Sequence, residues 1–438
     1  MKTNMQKYPA YKDSGIEWLG EIPKDWKSER LASILNNVAE RNRTDLPLLS
    51  ITREKGVILR DMDNEEENHN FIPDDLSNYK VLRKGQFGMN KMKAWQGSYG
   101  ISEQDGIVSP AYFIFQLRED IDSRYFHLAI RSRLYISFFG SASDGVRIGQ
   151  WDLSRDRMKN IQFLIPPLPE QTTIAAFLDR KTTLIDQAIG IKQKQIELLK
   201  ERRQILIHKA VTRGLNPNVK MKDSGVEWIG EIPEEWEVKR LKYCLVGKLK
   251  YGANESGIEY DVNLPRYVRI TDFGQDGKLS EDNKLSLSWK QGGEYLLKDG
   301  DILFARSGAT VGKTYQFKKS MSIEICYSFA GYLIKAESNE ELILSDFLYL
   351  YTNSNLFNKW KEGIFIKATI ENIGADKYSQ LQVIIPPLIE QKEILAKYRI
   401  DDDKFATAIS LKVQEIEKLK EYKATLINSA VTGKIKVC

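Results

Sequence analysis

The chain repeats itself, and the repeat limits what it can fold into. Residues 11–31, YKDSGIEWLGEIPKDWKSERL, return at 221–241 as MKDSGVEWIGEIPEEWEVKRL, with well over half of the positions identical. A second block at 163–215, opening FLIPPLPEQTTIAAFLDR, returns without a gap at 383–435, opening VIIPPLIEQKEILAKYRI. The segments between them, 32–162 and 242–382, show no comparable match. The chain is therefore a duplicated half in which two shared blocks frame one variable block each. Solenoid repeats run about 20 to 50 residues, so this longer period is tandem duplication with divergence. The length of 438 residues agrees, being too long for a single compact core.

The second shared block reads as a long helix. Pro166 and Pro167 stop the preceding strand, and Pro169, Glu170 and Gln171 make a favourable first turn with a carboxylate at the positive helix end. Ile185, Ile189, Ile196, Leu199 and Leu206 fall on one a/d seam, interrupted by Lys192 and Arg203, before Gly214 and Pro217 end the helix. The copy keeps Ile409, Ile416, Leu419 and Leu426 and ends near Gly433. Each stripe needs a covering surface, either the other helix or its own domain. A helix of about 40 residues makes a rod near 60 Å, longer than a domain face needs, which favours helix pairing. Asp401, Asp402 and Asp403 in the second copy are expected to loosen the packing locally.

Each variable block mixes helix and strand signals. YFHLAIRSRLYISFFG at 125–140 and SDFLYLYTNSNLFNKW at 345–360 pattern as amphipathic helices in matching places, while VSPAYFIFQL, DILFAR and SFAGYLIK pattern as strands. The fold class is α+β. No apolar run reaches the roughly 18 residues of a membrane span. Cys244, Cys326 and Cys438 are scattered, as are His69, His127 and His208, so neither a disulfide framework nor a metal site is expected, and a reduced cytoplasmic location is.

Net charge is +5, yet each variable block is neutral, with 18 basic and 18 acidic side chains in 32–165 and the same in 242–385. Composition alone does not nominate nucleic acid. The strongest catalytic lookalike is SGATVGKT, Ser307 to Thr314, close to the phosphate-loop pattern of an NTPase. Ser307 stands where the first glycine belongs, and Tyr315, Gln316 and Phe317 continue like a strand instead of opening a helix, which favours a Gly-rich hairpin. No Gly-rich nucleotide fingerprint follows a strand in a βαβ series, and no active site emerges.

Binding remains. KGQFGMNKMKAWQGSYG at 84–100 interleaves Lys91, Lys93, Trp95, Gln96, Ser98 and Tyr99 among glycines, side chains able to bond phosphates and base edges, although Trp95 and Tyr99 also suit a core. GVRIGQWDL adds Arg147 and Gln150, both capable of bidentate contacts in a major groove. In the second block the comparable candidates are Arg266, Arg269, Thr271, Arg306, Ser307, Lys313 and Lys367.

The order GIEWLGEIPKDW, variable block, IPPLPEQ and long helix, repeated with GVEWIGEIPEEW and IPPLIEQ, resembles the specificity subunit of Type I restriction-modification systems over essentially the whole chain. The resemblance implies two globular target-recognition domains, each reading half of a split, asymmetric site on double-stranded DNA. They would be separated by a pair of long antiparallel helices in a coiled coil with pseudo-two-fold symmetry. Segments 1–165 and 220–385 would then be recognition domains, and 166–219 and 386–438 the helices whose length sets the unread spacer. It further implies no catalysis and no cofactor on this chain. Two modification subunits would supply S-adenosylmethionine-dependent adenine methylation, and restriction subunits ATP- and magnesium-dependent translocation and cleavage. A helical scaffold without DNA specificity is the other reading.

Overall fold

The computed structural model describes residues 6–16, 19–61, 72–73, 75–147, 150–274, 277–308, 310–365 and 372–437. These form two compact units, one of residues 1–193 with 413–438 and one of residues 194–412. Each unit thus combines one variable block with a stretch of both long helices. No helix among the described residues is long and apolar enough to cross a membrane.

The first unit carries strands β1 (Tyr11–Asp13), β2 (Glu21–Pro23), β3 (Lys27–Arg30), β4 (Leu35–Asn37), β5 (Phe87–Met89), β6 (Tyr99–Ile101), β7 (Phe113–Leu117), β8 (Ser143–Arg147), β9 (Gln150–Leu153) and β10 (Gln162–Ile165). Helices α1 (Ser123–Ile130), α2 (Arg133–Ser141) and α3 (Arg155–Lys159) precede β10, and α4 (Leu168–Arg213) follows it. A four-stranded antiparallel sheet runs in the order β4-β7-β5-β6. Its apolar face meets α1 and α2 through Phe87, Phe115, Phe126 and Phe139, with Phe163 of β10 packed against Phe126, all essentially buried. Asp122 caps α1 by accepting from the backbone N–H groups of Arg124 and Tyr125.

In the second unit the corresponding strands are β11 (Met221–Asp223), β12 (Glu231–Pro233), β13 (Glu237–Arg240), β14 (Lys250–Tyr251), β15 (Ile302–Ala305), β16 (Thr314–Gln316), β17 (Leu333–Ala336) and β18 (Gln382–Ile385). Helices α5 (Ser345–Thr352), α6 (Asn355–Phe365) and α7 (Ala375–Ser379) precede β18, and α8 (Leu388–Val431) follows. The sheet order β14-β17-β15-β16 repeats that of the first unit, although the variable sequences do not match. A further four-stranded sheet of the second unit joins Ile258–Glu259, Leu285–Ser286, Arg266–Val268 and Tyr327–Phe329, where the first unit has two strand pairs, Leu49–Thr52 with Gly56–Leu59 and Lys80–Leu82 with Gly106–Val108.

The repeated sequence is repeated because it fastens these parts. β1 pairs with β2 and β3 with β10, as β11 pairs with β12 and β13 with β18. At the start of α4, the fully buried Gln171 amide accepts from Asp122 N–H at 2.8 Å and donates to Asp120 C=O at 3.0 Å and Pro166 C=O at 2.9 Å. Gln391 at the start of α8 does the same with Leu344, Leu342 and Pro386, at 2.8, 3.0 and 2.8 Å. The neighbouring glutamates differ. Glu390 accepts from Trp236 Nε1 at 2.7 Å, whereas Glu170 accepts from the Tyr8 hydroxyl at 2.6 Å.

Within each unit the two long helices run antiparallel. In the first, Asp186 meets Lys423 at 2.7 Å and Lys192 meets Glu415 at 2.7 Å. In the second, Arg203 donates to Asp402 at 2.8 Å. The charges that interrupt the seam are therefore cross-helix partners, a known device for fixing register. Ile185, Ile196, Ile416 and Leu426 are buried, with Ile189, Leu199, Ile409 and Leu419 half-buried. Two details correct the sequence reading. Asp402 ties the helices together instead of loosening them. The buried line has also stepped from Leu206 to Ile207, 2 % exposed, because a helix of 3.6 residues per turn outruns a 3.5-residue repeat.

Candidate nucleic-acid interface

In both units the connection between the third and fourth strands of the sheet order carries the polar residues that the sequence nominates. Residues 90–98 link β5 to β6, and residues 306–313 link β15 to β16. In both, the chain that follows the second short helix returns to lie against this connection. Leu153 N–H donates to Lys91 C=O at 3.1 Å in the first unit, and Ile373 N–H donates to Arg306 C=O at 2.9 Å in the second. Two sequences without a shared pattern thus build one site at one place on one frame.

On the first connection Lys91 is half-buried with its ammonium 3.0 Å from the Asp152 carboxylate, while Lys93 is exposed and makes no ion pair among the described residues. The Trp95 ring stacks on Trp151, centroids 5.2 Å apart and planes 28° apart, and its indole N–H is sealed from solvent with no acceptor among the described residues. Gln96 is half-buried beside it. Trp151, 37 % exposed, carries no signal of its own within GVRIGQWDL, whose Arg147 and Gln150 are the candidates. Arg147 and Gln150 are register partners on the β8–β9 hairpin, and their side chains lie outside the described residues.

Ser98 and Tyr99 do not belong to this surface. The strand turns them inward, to 2 % and 0 % exposure, and Tyr99 packs between Phe87 and Phe139. Burial drives its phenol pKa far above the ordinary range, so it stays neutral.

On the second connection the Arg306 guanidinium lies over the Tyr251 ring, 5.1 Å from its centroid, and Ser307 bridges to Asn372. Lys313 donates to Phe273 C=O at 2.6 Å. Tyr251, which also accepts from Ala375 N–H at 2.9 Å, gave no sequence signal. The segment Ser307 to Thr314 is the turn of an antiparallel hairpin, with Ala305 N–H bonded to Lys313 C=O at 2.8 Å and strand β16 following. No helix opens after it to receive a phosphate, and the NTPase reading is set aside.

Arg266, Arg269 and Thr271 belong to a separate segment, the Arg266–Val268 strand and the short helix Ile270–Asp272 with its cap. Arg266 is 1 % exposed and is held by Glu324 at 3.0 Å and Glu281 at 2.9 Å, above the Tyr327 ring. Such a buried, ion-paired cation holds the core together and cannot reach a base edge. Arg269 spends its guanidinium on Asp272 at 2.9 Å and Asn283 C=O at 2.8 Å. Thr271 is exposed, with its hydroxyl 3.4 Å from Asp272. Lys367 lies outside the described residues.

Fold and site together define a tandem pair of α+β units that present equivalent polar connections. Residues 233–421 match the family described as the Type I restriction modification DNA specificity domain. The chain is 27 % identical to the Type I restriction enzyme MjaVIII specificity subunit of Methanocaldococcus jannaschii, over 95 % of this chain and 94 % of that one. It is 24 % identical to the EcoKI specificity subunit of Escherichia coli over 67 % of this chain and 60 % of the other. Among solved structures, a chain from a type I restriction-modification system matches with a TM-score of 0.69 at 16 % identity, covering 94 % of this chain and 98 % of its own length. The HsdS subunit of Thermoanaerobacter tengcongensis matches with a TM-score of 0.50, with the same identity and coverage. These matches make the chain similar to specificity subunits of Type I restriction-modification systems in sequence and in fold.

Proposed function

We propose that the chain is the DNA sequence-recognition subunit of a Type I restriction-modification complex. Each unit reads one half of a bipartite, asymmetric site on double-stranded DNA, and the long helices set the unread spacer. The observation that carries this reading is the paired connection, residues 90–98 and 306–313, mounted identically on two sheets of the same order. Recognition resides in segments 1–165 and 220–385, and spacing and docking in 166–219 and 386–438.

On this reading the chain catalyses nothing. Two modification subunits bring S-adenosylmethionine, restriction subunits bring ATP and magnesium, and the assembly works in the cytoplasm. Support for docking on the helices comes from Leu184 and Ile191 in the first unit and Leu198 and Ile205 in the second. They recur every seven residues along α4 and are 45 to 61 % exposed. An apolar stripe of that spacing is what a partner helix packs on.

The test exchanges one connection. Replacing residues 91–96 by Gly and Ser, in complex with the modification subunits, relaxes sequence preference at one half-site and leaves the other intact. Equal loss at both half-sites, or none at either, contradicts the assignment.

A further inference from the structure

The first unit holds an open groove of about 780 Å3 beside its connection, lined among others by Arg53, Trp95, Gln96, Arg131 and Arg133. The three arginines do different work. Arg131 is consumed internally, donating to the carbonyls of Gly97 at 3.2 Å, Tyr99 at 2.5 Å, Arg53 at 2.9 Å and Glu54 at 3.0 Å. It shapes the groove by pinning its two walls. Arg133 is exposed and has no ion-pair or hydrogen-bond partner for its side chain among the described residues. Arg53 is two-thirds exposed and only loosely paired with Glu54, at 3.6 Å. The Trp95 indole N–H, sealed and without an acceptor among the described residues, lies in the same wall.

The second unit has no such charge at the matching corner. There α5 meets α6 through Asn353-Ser354-Asn355, where the first unit has Arg131-Ser132-Arg133 between α1 and α2. The serines are buried in both, at 4 % and 0 % exposure, so the corner is conserved as structure while its flanking charge is not.

We propose that this groove is a phosphate track for one DNA strand beside the first half-site, with Arg53 and Arg133 as its contacts and the Trp95 and Gln96 wall turned toward the bases. The second unit has Asn355 where the first has Arg133, and a lysine, Lys361, beside Gly312 of its connection, so the salt dependence supplied by this arginine pair belongs to the first unit. The inference rests on the proposed DNA-recognition role and adds an inequality between the units.

The test uses the complex with modification subunits and a duplex carrying its mapped motif, titrated by fluorescence anisotropy at 50 to 200 mM salt. Each neutralised phosphate contributes about 0.9 to the slope of log affinity against log salt. Arg53→Ala and Arg133→Ala each remove that much. Over a fourfold rise in salt, the double variant then loses about 12-fold less affinity than wild type. Arg133→Lys keeps the slope, and the methylated motif is unchanged in every variant. A duplex with uncharged methylphosphonates across the first half-site lowers the wild-type slope by more than it lowers that of the double variant. Wild-type slopes in the alanine variants, or a changed base preference, overturn the track. If wild type shows no bipartite motif, the recognition role itself fails.

Discussion

Replacing Gln391 by Ala tests why the shared blocks repeat. The Gln391 amide makes three hydrogen bonds at the start of α8, to Leu344 N–H, Leu342 C=O and Pro386 C=O, and is itself 0 % exposed. At about 1 kcal/mol net for each bond, the substitution costs about 3 kcal/mol. That is on the order of a 150-fold shift in the local opening equilibrium, since 1.4 kcal/mol is a factor of ten. Native-state hydrogen exchange reads the effect where it falls, at the Leu344 amide and the first turn of α8. Protection there drops by about two orders of magnitude in Gln391→Ala, and Gln171→Ala produces the matching drop at Asp122. A change below threefold at either amide refutes the claim that the glutamines are the fasteners.

Arg203→Glu places like charges opposite Asp402 and destabilises the helix pair of the second unit, while the exchange Arg203→Glu with Asp402→Arg restores it; the partly exposed pair is worth about 1 kcal/mol in thermal unfolding. The first unit loses stability as the pH falls through the histidine range. His127, accepting from Ile101 N–H through Nδ1 at 3.1 Å, is held neutral by burial and then by nearby Arg131, its pKa lowered to about 4. The folded value lies below the ordinary one of about 6.5, so this stabilisation is complete above pH 6.5 and is lost as the pH falls toward 4. The loss is on the order of 3 kcal/mol, and urea unfolding between pH 7 and 5.5 shows its onset in wild type but not in His127→Gln. Arg306→Ala relaxes base preference at the second half-site alone, by about 1 to 3 kcal/mol, in competition binding with single-base variants of the site. Uniform weakening over all variants would make Arg306 a phosphate contact instead.

The framework was legible because duplication made it visible. The entry hairpins, the Pro-Pro stop and the long helices recur in sequence, and the structure supplies their reason in Gln171, Gln391 and the cross-helix ion pairs. The helix seam was legible until the 3.6-residue period carried it from Leu206 to Ile207. The site was legible only in outline. Side-chain chemistry marks what a residue is able to bond, not which side of a short strand it occupies. Tyr99 and Arg266 therefore passed as candidates although one fills a core and the other a buried ion cluster. Arg53 and Arg133 escaped notice because a helix start and a turn hold them, and only the fold brings both beside Trp95. Equivalence of the connections at 90–98 and 306–313 was invisible in sequence because strand order carries it and residue identity does not.

The central claim is that this chain selects a split DNA sequence for modification. Genome-wide mapping of adenine methylation tests it most directly, in cells carrying the chain with its modification partner and in cells lacking the chain. The account predicts a new bipartite motif with a fixed unread spacer, present only with the chain. No new motif, with the same partner active on another specificity subunit, contradicts it.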